Sequence, residues 1–157
     1  MNIEALKFFH AYIREMINIG GENLPKTISA QLGTKLARVY EKKGVEGIIE
    51  GLKKSYAAIK GETTINKVDE TTIEVKIHHP GGFCPIGGDS DPKNAKVIQE
   101  SVCIPFSQGF LRELNPKYKY EGIIHDCILD SNDDYCFYTL KLEERKNIKN
   151  KKIQKSN

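Results

Sequence analysis

"IIHDCILDSNDDYCFYTLKL", residues 123–142, alternates apolar and polar positions on both sides of a polar turn and carries a cysteine on each arm. Period-two alternation around an Asp/Ser/Asn cluster predicts a β-hairpin. A two-residue loop at Ser131-Asn132 sets the register so that Cys127 faces Cys136. Directly opposed residues hold their β-carbons about 4.5–5.5 Å apart. His125, two positions before Cys127, shares its face by alternation. Three readings of the paired thiols stand open: a disulfide, a metal site, and two cysteines serving as small buried hydrophobes.

Upstream of the hairpin lie the other two of the four cysteines. "SVCIPFSQGFLREL" (101–114) reads as a helix, with Pro105 too deep to continue an earlier one unbroken. A break is therefore expected near Ser101–Cys103, putting Cys103 at a helix start where free N–H groups favour a thiolate. Asp91-Pro92 has the form of the start of the preceding helix, and Asn115-Pro116 ends the later one. Cys84 lies in "HHPGGFCPIGGDSDP" (78–92), a Gly/Pro-rich loop. The spacing of the cysteines matches no zinc finger, so any cluster is a product of tertiary folding. His78 and His79 are ligand candidates or surface residues, and His10 stands alone on an amphipathic helix.

Further upstream, "TTINKVDETTIEVKI" (63–77) alternates around a "VDET" turn and predicts a second hairpin. Three helices precede it. Leu6, Phe9, Ile13 and Met16/Ile17 recur at helical steps before Gly20-Gly21. A second helix starts near Asn23 with Pro25 in its first turn, sets Ile28, Leu32, Leu36 and Val39/Tyr40 on one face, and stops at Gly44. The third uses Val45, Ile48/Ile49, Leu52, Tyr56 and Ile59 and closes at Gly61. Helices, strands, helix, strands in that order imply an α+β fold, with N-terminal helices packed on an antiparallel sheet.

Composition narrows the function classes. A chain of 157 residues with 39% hydrophobic and 29% charged residues suits one globular domain. That domain is expected over residues 1–143, with helices in 1–61 and the motif-bearing part in 62–143; residues 144–157 form a tail. The net charge of +3 arises from this tail: "RKNIKNKKIQKSN" holds six Lys or Arg and no acid, which leaves the remainder at −3. Specific nucleic-acid binding is not expected from such a body. No stretch reaches the ~18 apolar residues of a membrane span, and the charged N-terminus is no signal peptide. A cytoplasmic location is the expectation. "GGFCPIGG" lacks the spacing of a dinucleotide-binding loop, and no Ser/His/Asp set is evident.

"FCPIGG", "VCIPFSQGFLREL" and "HDCILDSNDDYCFYTLKL" together resemble the 4-vinyl reductase (4VR) domain family. In that family a Cys-Pro motif precedes a Cys-x-x-x-x-x-Gly-x-Leu helix start, and a terminal hairpin carries a second cysteine pair. The resemblance spans roughly residues 25–143 and is specific in its second half. It implies a domain like the phenol-sensing regions of bacterial activators and, more distantly, subunits of the TRAPP vesicle-tethering complex. It further implies a homodimer, a small hydrophobic ligand held between helices and sheet, and a structural zinc on the cysteines matching Cys103, Cys127 and Cys136. The family often has a ligating Glu where this chain has Ile124, so Cys84 or, in reserve, His125 would complete the set. Phe106, Phe110, Tyr118, Tyr120 and Tyr138 are the expected lining of the ligand pocket. The leading expectation is thus a zinc-stabilised binding module acting as sensor or carrier. Its alternatives are a reductase or accessory protein for a vinyl or porphyrin-like substrate, with catalytic residues unassigned, and a dimeric scaffold.

Overall fold

The computed structural model describes residues 3–146, and its architecture is α+β. Helices α1 (Ile3–Gly20), α2 (Asn23–Lys42) and α3 (Ile48–Ala58) lead into the hairpin β1 (Glu62–Lys67) and β2 (Thr72–His78). Helices α4 (Pro92–Ile98) and α5 (Ile104–Leu114) follow, and the hairpin β3 (Tyr118–Asp126) and β4 (Tyr135–Glu144) ends the fold. The two hairpins join through an antiparallel β2–β4 pairing, giving the sheet order β1-β2-β4-β3. The expected tail begins on described residues, since Glu144 closes β4; positions 147–157 lie outside the described residues.

One face of the sheet meets the helices. Ile73, Val75 and Ile77 of β2 are buried and their neighbours in the strand are not. They pack with Tyr138 and Leu140 of β4, Leu52 of α3 and Phe110 and Leu111 of α5. Burying each such side chain contributes about 1.5–3 kcal/mol.

Helix α2 reaches this core in an unexpected orientation. Its buried residues are Pro25, Ser29, Gly33 and Ala37, a small-residue row at four-residue spacing. A β-carbon on Gly33 would collide with the backbone carbonyl of Phe106, and one on Gly109 with that of Ala30. Two helices approach this closely only where neither has a side chain between them. Of the large apolar row assigned to the core by sequence, Leu36 and Tyr40 pack against this core, while Leu32 is 50% and Val39 45% exposed. Phe9 of α1 is likewise displaced to the surface, at 42%.

The expected helix break is a widened turn. A π-helical segment, Gln99–Cys103, joins α4 to α5, and the Ile104 N–H donates to the carbonyl of Gln99. Pro105 has no N–H and crowds the carbonyl four residues back; opening the helix by one residue absorbs both defects.

Candidate functional site

All four cysteines converge on a second core. Cys84 and Cys127 are buried there with Ile13, Ala95, Ile98, Val102, Ile128 and Leu129, and Cys103 and Cys136 pack against the same cluster. Different elements deliver them: the 79–91 loop, the π-turn, the end of β3 and the start of β4.

The local backbone explains their orientation. Cys84 and Gly88 bridge each other through two backbone hydrogen bonds of 2.9 and 2.8 Å, folding "CPIGG" into a tight loop. Gly88 there has φ +86° and Gly87 lies against the Leu129 side chain. The Gly87 N–H donates to Cys84 Sγ at 3.3 Å. In the closing hairpin the register passes from Ile124↔Tyr138 to Asp126↔Phe137 across a bulge. The ladder ends at that pair, with Cys127 just past the end of β3 and Cys136 within β4 opposite Ile77 of β2. The connection runs from 127 to 134 rather than through a two-residue loop, and the Cys127 carbonyl accepts from the N–H groups of Asp130 and Ser131.

The Cys127 and Cys136 side chains shift each other in opposite directions. The thiol of Cys136, together with the Gln99 side chain and the Leu129 N–H, brings the Cys127 thiol down to about 6. The same interaction, with burial, pushes Cys136 up. Burial pushes Cys103 well up and Cys84 up as well. A polar seam continues inward: the hydroxyls of Tyr56 and Tyr138 lie 2.9 Å apart. Burial drives the Tyr56 hydroxyl up to about 12.

The histidines take other places. The bulge reverses the side-chain parity of β3, so His125 turns to the outer face; its Nε2 is 2.7 Å from the Thr139 hydroxyl and its ring packs on Phe137. It does not join the sulfurs. His78 pairs with Asp134 at 2.7 Å. His79 is buried, and desolvation followed by the neighbouring His78 lowers it to about 4. His10 packs edge-on against Phe83 and fills the space a β-carbon on Gly88 would need, with its Nε2 buried and unpartnered. Beside it the Arg14 guanidinium grips Asp91 at 2.6 and 2.7 Å, mounting α1 on the loop before α4.

The donor chemistry suits a thiophilic metal, yet no group of three or more His, Cys, Asp or Glu among the described residues is arranged to hold an ion. The aromatic residues expected to line a ligand pocket pack as core. Phe110, Tyr120 and Tyr138 are buried, and Phe106 and Tyr118 lie against them, with Phe106 stacked on Phe110 at 6.1 Å. An open groove of about 500 Å³ lies at the other end of the sheet, lined by Thr71, Thr72, Lys119, Glu121, Lys141 and Glu143; of the five aromatics only Tyr120 touches it.

Sequence reasoning missed the outer helix faces. Phe8 is 83%, Tyr12 70% and Ile19 77% exposed on α1, and Leu24 joins Leu32 and Val39 on α2. The signal that could have found them is the row Pro25-Ser29-Gly33-Ala37, whose spacing already marks a close-packing face opposite the large apolar one.

Comparison with known proteins places the fold. No family model matches the chain, and no curated protein matches it. Among solved structures it is similar to a trafficking protein particle complex subunit 3 from Naegleria fowleri, a structure with palmitic acid covalently bound. The likeness has a TM-score of 0.60 at 11% identity and covers 89% of this chain and 93% of that one. At that identity it shows a shared fold. The 4-vinyl reductase resemblance is corrected by these findings: its motifs bring no family match, and the neighbour found belongs to the tethering-complex arm that the resemblance reached only distantly. The zinc-stabilised small-molecule module falls with it. No helix among the described residues is long and apolar enough to cross a membrane.

Proposed function

We propose that this chain is a structural subunit of a multi-protein assembly, a scaffold of the kind its fold neighbour belongs to, acting in the cytoplasm and self-associating through α2. The observation that carries this reading is the apolar row left in solvent: Leu24, Leu32 and Val39 on α2, with Phe8, Tyr12 and Ile19 on α1. Monomers seldom keep such rows uncovered, and an exposed contiguous apolar surface marks a docking face. Helix α2 has 20 residues and is therefore about 30 Å long, enough to span a standard interface of ~800 Å² per partner.

A second copy fits the row by symmetry. Leu32 lies near the middle of α2, so a two-fold axis there sets Leu24 of one helix against Val39 of its mate. Such an isologous contact needs only a self-complementary row. The test is sedimentation of the purified chain. A dimer is expected, and Leu32→Asp, which opposes two charges at the axis, is expected to give a monomer with an unchanged melting temperature. A wild-type chain that stays monomeric at the highest soluble concentration removes the self-association reading. Failure of that monomer to recruit any partner through α1 and α2 in a crosslinking assay then removes the scaffold reading.

A further inference from the structure

The turn between α1 and α2 rests on one residue. Helical hydrogen bonding runs up to it from both sides: the Gly21 N–H donates to the Ile17 carbonyl at 3.0 Å, and the Lys26 N–H to that of Glu22 at 3.2 Å. Glu22 already has right-handed helical angles, φ −77° and ψ −27°, whereas Gly21 has φ +63°. The two helix ends that meet there are otherwise unmarked. α1 has no base in its last turn, and α2 has neither an acid in its first turn nor a side-chain cap. Such ends leave backbone N–H and C=O groups without helical partners, and an unbroken helix supplies them.

The apolar pattern crosses the turn in phase. At about 100° per residue, Leu6, Ile13 and Ile17 of α1 and Leu24, Leu32 and Val39 of α2 fall within one stripe about 100° wide, interrupted on α2 by Gln31 and Lys35. The α1 part of that stripe now lies inward: Leu6 and Ile13 are buried, Ile17 packs on the second core, and Arg14 grips Asp91. This seating has a defect, because the His10 Nε2 is buried there without a partner. The α2 part is the docking row already described.

We infer that α1 is a strap with a second position, in line with α2 as one helix over residues 3–42, and that a second copy of this chain takes up the straightened helix. Gly21 passes from the left-handed to the right-handed helical region and no covalent bond changes. α1 leaves the 79–91 loop, His10 is released, and Leu6, Ile13 and Ile17 continue the row of Leu24, Leu32 and Val39. The helix grows from about 30 to about 60 Å, so the apolar row offered to the mate roughly doubles in length. The choice of a second copy rests on the self-association proposed above; the strap itself does not.

The test is hydrogen exchange on the full wild-type chain, read at the amides of Glu22, Asn23 and Leu24. These are the first N–H groups of α2 and gain helical partners only when α1 joins it. Their protection is expected to rise with the dimer fraction. A second measurement, single-molecule energy transfer between dyes on encoded side chains replacing Tyr12 and Lys93, reads the monomer. Gly21→Ala opposes φ +63° and meets nothing within 4 Å, so it strains only the bent backbone. It is expected to raise the low-transfer population about tenfold, in keeping with the left-handed penalty for an L-residue, while Gly21→Asn leaves it near the wild-type level. A dimer whose three amides stay unprotected overturns the inference and leaves self-association standing. Unchanged transfer in Gly21→Ala overturns it too, as does a low-transfer population that loses helical circular dichroism, since α1 has then melted rather than straightened. A wild-type chain that never dimerises overturns the second copy as occupant, and the Gly21 variants then decide the strap alone.

Discussion

The two cores of this protein are built on opposite principles. The core between the sheet and α2, α3 and α5 is apolar, and its decisive feature is contact without side chains, where Gly33 and Gly109 let α2 and α5 touch. The core between α1, α4 and the two loops is laced with polar groups: four sulfurs and, beside them, the His10 ring with its buried Nε2. Packing density carries the first. Directional bonds carry the second, and these are what solvent conditions, protons and oxidants can change. The difference teaches where each kind of perturbation should act.

The largest effect is expected in the first core. Phe110→Ala removes a side chain that is 1% exposed, stacked on Phe106 and edge-on to Tyr40, and should cost about 3–5 kcal/mol in urea unfolding. Gly33→Ala should cost about 3 kcal/mol, because the obstacle is a backbone carbonyl that cannot swing aside. An alanine at 33 that leaves the urea midpoint untouched would show the crossing to be looser than described.

The loop side should answer to pH instead. His79 is 6% exposed and its folded value lies at about 4, below the ordinary value of 6.5. Protons therefore bind the unfolded chain more readily. Stability is full above about pH 6.5 and falls as the pH drops towards 4, by on the order of 2–3 kcal/mol for this group. His79→Phe should flatten that part of the profile. A wild-type midpoint that holds level between pH 7 and pH 4.5 would contradict the buried, neutral ring.

Intermediate and small effects sharpen the contrast. Gly88→Ala places a methyl group on the His10 ring at a residue with φ +86°, and should cost about 1–3 kcal/mol, read by thermal unfolding. Arg38→Ala deletes an ion pair of 2.8 Å with Glu113 on the outside of the first core, where the arginine is 61% exposed. Its loss should barely move the unfolding midpoint, and less still at high salt.

Much of this was legible in the chain. The three N-terminal helices stop where Gly20-Gly21 and the residues around Gly44 and Gly61 predict, and β1 and β2 flank the predicted "VDET" turn. α5 covers the predicted 104–114 segment, whereas the closing hairpin meets the expected register only at Asp126↔Phe137, past the bulge. These features are local: turn chemistry, periodicity and proline geometry act within a few residues. The side of His125 was misjudged because one extra residue in β3 reverses alternation, and a bulge leaves no mark in composition. The aromatic set was assigned to a pocket because residue type does not distinguish a cavity wall from a filled core.

The sequence by itself determined the elements, their order, the α+β class and the presence of two thiols on one closing hairpin, since each follows from short-range backbone preference. Only the tertiary structure decided which face of α2 is buried. Periodicity marks two faces on that helix, one large and apolar, one small, and hydrophobicity alone chooses the former. Close approach of two backbones through Gly33 and Gly109 favours the latter, and it leaves Leu32 and Val39 in solvent as the surface on which the proposed function depends. That choice is made by a contact between residues far apart in the chain, so no local reading contains it.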